Sequence, residues 1–322
     1  MDRVTKFLAY DGRVSIICAN TTKLVDKIRK LHDLTPTTTA ALGRFATMSG
    51  MMGLTELKGE HESYTIQLKG DGPIGAMISV IKRKEDTSII KVSIDYPYVE
   101  LPLNKKGKLD VGEAVGHTGF LNLLKRDELT GTDYNTLLGL ASGEIAEDFA
   151  NYYAKSKQTP TVVALGVLVN RFGVKSAGGY MIQLMPDATE EDISNLERAV
   201  EQAPSITTML SEKKSLEEIA RIITGDNQLL MLAHDPKIEC DCDCAKEHFE
   251  KGIISLGKEE LSNMIEEDGK AEVVCKFCHK KYNFSKQELE SLLERLIEKE
   301  EQAKKIVEDD EEDDDENEEN EE

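Results

Sequence analysis

A chain of 322 residues, 39% hydrophobic and without tryptophan, has room for two domains and enough apolar content for at least one core. No stretch approaches the ~18–20 apolar residues that span a bilayer. The charged first twenty residues lack the pattern of a signal peptide, so a cytoplasmic location and no membrane partner are expected. The formal charge of -21 argues against tight, specific nucleic-acid binding, which runs on neutralisation of phosphates by Lys and Arg.

Val14-Ser15-Ile16-Ile17-Cys18-Ala19 is a strand-like apolar run, in which Cys18 is expected to be a buried thiol. Thr37 to Leu57 has helical spacing, with Leu42, Phe45, Ala46 and Ser49 on one face. Tyr64, Ile66 and Leu68 alternate with polar residues, as in a half-buried strand. Gly70-Asp71-Gly72-Pro73 breaks that strand and Ala76 to Ile81 resumes one, giving a strand-turn-strand unit. The same segment, continued to Gly75, matches GxGxxG. A dinucleotide site would need a helix to open there, and Pro73 with the apolar run after it favours the turn. A further strand is expected over Ile89 to Tyr96 and a helix over Gly143 to Lys155. Strands and helices mix without a βαβ rhythm, so the fold class expected is α+β, with a mixed core domain over 1–186.

From Asp187 the texture changes. Asp187-Ala188-Thr189-Glu190-Glu191-Asp192 offers N-cap candidates and first-turn acids, followed by Ile193, Leu196 and Val200 at helical spacing. Pro204 interrupts, Ser205 to Leu210 is another turn or two, and Ser215 opens a helix with Leu216, Ile219 and Ile222 that Gly225 ends. Short amphipathic helices without an aromatic residue need another surface to lean on, so 187–238 is expected to be a metastable docked linker. Residues 239–290 hold a small metal-binding domain, after which 291–322 continue as a helix extension and an acidic tail. Ser285 and Glu288 have the spacing of a capping box, and Leu289, Leu292, Leu296 and Ala303 extend one helical face. The tail, Glu308 to Glu322, carries 13 acids and no base, which predicts a solvated, disordered end.

Five of the six cysteines fall between residues 240 and 278, as Cys240-Asp241-Cys242-Asp243-Cys244 and Cys275-Lys276-Phe277-Cys278. Zinc favours closed tetrahedral thiolate sites, so two cysteine groups flanking a small lobe point to one bound Zn²⁺. Five cysteines compete for four places, and His248 and His279 are further candidate ligands. CxC is unusual in structural zinc ribbons, and metal-held thiolates remain targets for oxidants. A lobe of about 45 residues is below the size that usually folds without a metal or disulfide, so oxidation that expels zinc should unfold it and expose apolar surface. Cys275 to His279 also matches CxxCH, the c-type haem pattern, which belongs to exported compartments. A thioredoxin-like role lacks its βαβ context, and no Ser-His-Asp or paired-carboxylate spacing marks a catalytic site, so no enzyme is expected. The remaining alternatives are a zinc-ribbon adaptor with a purely structural metal, which the scarce aromatic interleaving of 239–284 does not favour, and a thiol oxidoreductase.

These residues together resemble the 33 kDa chaperonins, bacterial redox-regulated heat-shock holdases, from about Met1 to Phe284. The resemblance lies in Leu42-Gly43-Arg44, Gly70-Asp71-Gly72-Pro73, Ser142 to Asp148 and Ala177-Gly178-Gly179. It is also carried by Ser156-Lys157-Gln158-Thr159-Pro160, where lysine stands at the family's glutamate. Most specific is Cys242-Asp243-Cys244-Ala245-Lys246-Glu247-His248-Phe249, paired with Cys275-Lys276-Phe277-Cys278, Tyr282 and Phe284. The family tends to place an aromatic residue two positions before the CxC. The resemblance therefore puts Cys240 in that place and implies Cys242, Cys244, Cys275 and Cys278 as the zinc ligands. It further implies Cys242–Cys244 and Cys275–Cys278 disulfides on oxidation, zinc release, unfolding of lobe and linker, dimerisation, and ATP-independent binding of unfolding client proteins. The acidic tail is outside the family pattern.

Overall fold

The computed structural model describes residues 2–232 and 236–298. The acidic tail and the helix extension through Ala303 lie outside these residues. The chain divides into two compact units, the first ending at Cys242 and the second beginning at Asp243.

The first unit opens with β1 (Arg3–Ala9), β2 (Val14–Asn20), α1 (Thr22–Leu31) and α2 (Pro36–Glu56). It continues with β3 (Glu62–Gly70), β4 (Ala76–Lys84), β5 (Thr87–Ile94), α3 (Val111–Val115), β6 (Gly119–Asp127) and β7 (Thr132–Gly139). Then come α4 (Ile145–Tyr152), β8 (Thr161–Asn170), β9 (Gly173–Leu184), α5 (Glu190–Gln202), α6 (Ile206–Ser211), α7 (Leu216–Thr224), β10 (Leu230–Met231) and β11 (Lys237–Cys240). The strands form a five-stranded sheet in the order β10-β1-β2-β9-β8 and a six-stranded sheet in the order β11-β5-β4-β3-β6-β7. All pairings are antiparallel except β11 with β5, which is parallel. The architecture is the expected mixture of sheets and helices.

Helix α2 packs against strands of both sheets. Thr35 caps it, accepting from the Thr38 N–H, and Pro36 occupies its first turn, where a missing N–H costs nothing. The expected face of Leu42, Phe45, Ala46 and Ser49 is buried, but so are Ala40, Ala41, Met48, Met51 and Met52. A helix enclosed on all sides is apolar all round, and a one-faced pattern understates it. Strand β3 buries Tyr64, Ile66 and Leu68 as their alternation predicts. The strand expected over 89–96 lies at Thr87–Ile94: Asp95 turns back to accept from the Ala76 N–H at 2.8 Å, which ends the ladder before Tyr96. The helix expected from Gly143 starts at Ile145 and passes into a wider helical turn over Tyr153–Lys157. Gly70-Asp71-Gly72-Pro73 is a turn pressed against α3. A Cβ on Gly72 would stand 2.4 Å from the Ala114 carbonyl oxygen, so only glycine fits.

Helices α5 to α7 cover one face of the five-stranded sheet. Leu196, Ile206, Met209, Leu210, Leu216, Ile219 and Ile223 are buried with Phe7, Ile16, Cys18, Tyr180 and Ile182. The opposite face of that sheet belongs to the α2 core, through Ile17, Ala19 and Met181. The caps are written in the sequence: Thr189 and Asp192 form a reciprocal capping box on α5, Ser205 caps α6, and Ser215 with Glu218 forms a second box on α7. Helices of this length are marginal in isolation, so their order depends on the sheet beneath them. Each fully buried aliphatic side chain, such as Ile219 or Ile223, contributes roughly 1.5–3 kcal/mol to that docking. Gly178 makes room for it: a Cβ there would lie 2.7 Å from Leu210 Cδ1.

Candidate metal centre

The second unit holds α8 (Lys246–Ile254), α9 (Lys258–Glu267), the hairpin β12 (Lys270–Val274) with β13 (Lys281–Ser285), and α10 (286–298). Its core is small: Ile253, Leu261, Ile265, Tyr282, Phe284, Leu289 and Leu292. Polar contacts supplement it. Glu288 caps α10 through Ser285 and pairs with Lys246 at the start of α8, contacts that push its carboxyl down to about 2. Arg295 reaches Glu250 at 3.1 Å.

Cys275 to Lys280 form the turn of the β12–β13 hairpin. Cys275 N–H donates to the Lys280 carbonyl at 3.0 Å, His279 N–H donates to the Cys275 carbonyl at 2.8 Å, and His279 takes a left-handed φ of 58°. This closes the CxxC into a knuckle with Cys275 buried and Cys278 half-buried. On the other side of the site, Cys242 and Cys244 lie in the extended segment between β11 and α8. The sulfurs of Cys242, Cys244, Cys275 and Cys278 all lie within 4.8 Å of one another, with Cys244 and Cys278 3.3 Å apart. Four thiolates bound about 2.3 Å from a tetrahedral ion stand about 3.8 Å from one another. The spacings here bracket that edge, so the four residues could hold a metal ion.

The remaining candidates have other places. Cys240 is buried in β11, opposite Ile90 of β5, and its carbonyl accepts from Lys27 Nζ at 2.6 Å. Cys18 is fully buried on the face of β2 beneath the α5–α7 helices, and burial pushes its thiol far above the ordinary range. His248 Nδ1 accepts from the Ala245 N–H at 3.3 Å, which closes the first turn of α8. Neither His248 nor His279 belongs to the four-sulfur group.

One contributor escaped the sequence reading. The Tyr282 hydroxyl donates to the Cys244 carbonyl at 2.8 Å and stands 3.2 Å from the Cys244 sulfur. That hydrogen bond, with burial and the neighbouring thiols, holds the phenol above its ordinary pKa. The Phe249 ring lies 4.8 Å from the Tyr282 ring and completes the apolar wall. A second convergence, His61, Glu62 and Asp127, also meets the spacing for a metal. Its central carboxylate is already committed, to Lys125 Nζ at 2.6 Å and to the Lys58 N–H, so an ammonium stands where a cation would bind.

An Hsp33 protein profile matches residues 2–285, which takes in both sheets, the covering helices and all four clustered cysteines. The chain belongs to the Hsp33 family. It is 42% identical over 301 residues to the 33 kDa chaperonin of Clostridioides difficile, covering 92% of this chain and 99% of that one. It is 41% identical over 293 residues to the 33 kDa chaperonin of Caldanaerobacter subterraneus, covering 91% and 98% respectively. The crystal structure of the Thermotoga maritima 33 kDa chaperonin superposes with a TM-score of 0.81 at 32% identity, over 92% of this chain and 99% of the other. Among the described residues, no helix is long and apolar enough to cross a membrane.

Proposed function

We propose that this Hsp33 family member is a redox-regulated, ATP-independent holdase of the cytoplasm, which captures unfolding proteins under oxidative stress and performs no catalytic turnover. The observation that carries the reading is the removable cover on the five-stranded sheet. Residues 190–224 supply no strand to either sheet, yet they hide Phe7, Ile16, Tyr180 and Ile182 from solvent. Freed, the cover and the sheet face become apolar surface of the kind that binds non-native chains. The relatives named 33 kDa chaperonin support the same assignment.

Bound at Cys242, Cys244, Cys275 and Cys278, Zn²⁺ would keep the four sulfurs as thiolates and cross-link a lobe whose own core is small. Peroxide oxidises each neighbouring pair, Cys242 with Cys244 and Cys275 with Cys278. One S–S bond forms per pair, the two thiol protons and the two electrons pass to the oxidant, and one H₂O₂ becomes two H₂O. A disulfide sulfur is a far poorer donor than a thiolate, so the lobe loses its cross-link, unfolds, and frees the preceding segment to leave the sheet. Two activated chains then pair through their new apolar surface.

The test follows zinc and client together. Reduced protein is treated with peroxide at elevated temperature beside a zinc-responsive dye, then mixed with a chemically unfolded client while light scattering is recorded. Zinc release accompanied by suppressed scattering, in the oxidised sample alone, is expected. Zinc that stays bound, or leaves without protecting the client, would replace this reading with that of a zinc-ribbon adaptor.

A further inference from the structure

The four-residue turn between β1 and β2 touches both ends of the α5–α7 cover. At one end the Arg13 guanidinium forms a two-pronged pair with Asp192 in the first turn of α5: Nε to Oδ2 at 2.7 Å and Nη2 to Oδ1 at 3.1 Å. Asp192 is 5% exposed, and its Oδ2 also accepts from the Thr189 N–H at 3.0 Å within the capping box. At the other end, beyond the C-terminus of α7, Asp226 Oδ2 accepts from the Tyr10 N–H at 2.7 Å. The Tyr10 hydroxyl donates to the Thr224 carbonyl, one of the orphaned acceptors that end the helix.

The turn has an unusual backbone. Tyr10, Asp11 and Gly12 have consecutive φ values of 50°, 54° and 93°. Left-handed residues without glycine's freedom are sparsely populated and persist where surrounding contacts over-determine them. Here they bring Tyr10 and Arg13, three positions apart in sequence, to opposite ends of a segment more than thirty residues long. Between those ends the cover rests mainly on apolar burial, with Ser176 Oγ donating to the Thr207 carbonyl at 3.1 Å as a polar contact from the sheet. Apolar burial is non-directional and tolerates sliding, whereas a forked guanidinium–carboxylate pair does not. The two polar grips therefore fix where the cover sits.

We propose that the β1–β2 turn is a clasp that governs release of the α5–α7 cover, with Arg13–Asp192 closing one end and Tyr10–Asp226 the other. Its regulatory meaning rests on the holdase reading; the clasp itself does not. A single short turn then controls both termini of the segment, and loosening either grip lets the cover open from that end while the metal lobe stays loaded.

The experiment uses the full chain, reduced and zinc-loaded, as Arg13→Ala, Asp226→Asn and Asp192→Asn. Asparagine at 192 keeps an acceptor for the Thr189 N–H and removes the charge that Arg13 grips. Limited proteolysis is the first readout. Cleavage within 190–226 is expected to quicken on the order of ten-fold in each variant, at unchanged zinc content. Ile219→Ala, which thins the apolar contact away from the turn, should give cleavage throughout the cover, whereas the clasp variants should be cut first at the end each one frees. Should Arg13→Ala fail to fold, Arg13→Lys keeps the charge, removes the fork and serves in its place. Cleavage within about two-fold of wild type, or cuts spread evenly over the whole chain, would overturn the clasp. Client protection by the unoxidised variants is the second readout. Faster cleavage without protection would leave the clasp standing and count against the holdase role of the cover.

Discussion

The Tyr282 hydroxyl reaches from β13 to Cys244, donating to its carbonyl at 2.8 Å and standing 3.2 Å from its sulfur. The contact joins the CxC side of the centre to the hairpin that carries the CxxC, and it orients a ligand residue that lies in extended chain with no regular element to hold it. Groups that orient ligands from behind tune a metal site without touching the ion.

Replacing Tyr282 with Phe keeps the ring against Phe249 and removes the donor. Zinc affinity is expected to fall about ten-fold while the lobe still folds when zinc is saturating. Competition with a chelating dye reads the affinity. Unchanged affinity would reduce Tyr282 to a packing residue.

Two cysteine substitutions separate ligand from neighbour. Cys242→Ser should lower zinc affinity sharply, because a hydroxyl is a poor replacement for a thiolate. Cys240→Ser should keep one zinc per chain, since that side chain is buried within β11 opposite Ile90. Metal content after dialysis distinguishes them, and loss of zinc from the Cys240 variant would break the assignment of the four ligands.

The Arg13–Asp192 pair sets a pH expectation. Its hydrogen bond to Arg13, with that from the Thr189 N–H, holds the Asp192 carboxyl well below the usual carboxylate range. A depressed carboxylate adds stability that is fully present above its unfolded value, about 3.9, and lost as pH falls through the lower folded value. Proteolytic resistance of 190–202 attributable to this pair should thus be flat from pH 8 to about pH 5. Asp192→Asn should remove it at every pH in that range, and a wild-type resistance that climbs steeply between pH 5 and pH 7 would contradict the assignment.

Removing Glu308 to Glu322 takes away 13 acids and none of the four clustered cysteines. Zinc stoichiometry and the unfolding midpoint of the reduced protein should match the full chain; a truncated protein that binds less metal would give the tail a part in the centre.

What the sequence disclosed, and what it hid, follows the range of the physics involved. Alternation in β3, the Pro36 start of α2, the capping residues Ser215 and Ser285, and the cysteine spacing are local signals, and each corresponds to an element or cluster in the structure. Contacts between distant segments had no such signature. Arg13 and Asp192 are 179 positions apart, Tyr10 and Asp226 216 apart, and each is an ordinary polar residue until the fold brings them together. The parallel addition of β11 to β5 was equally silent, because four residues ending in Cys240 carry no alternation long enough to be read as a strand. Tyr282 was noticed through the family pattern, but its bond to Cys244 required the hairpin to be folded.

The contiguity of the α5–α7 cover has a consequence for recovery. Residues 190–224 are one uninterrupted stretch that lends no hydrogen bond to either ladder, so the pairings among β1, β2, β9 and β8 survive its departure. The surface it leaves keeps its shape and acts as a template for its return. Reversal then becomes a matter of short helices re-forming on a finished surface, on the microsecond-to-millisecond scale of local refolding, in place of the slow assembly of a two-sheet fold. A molecule built this way can be cycled many times from one synthesis.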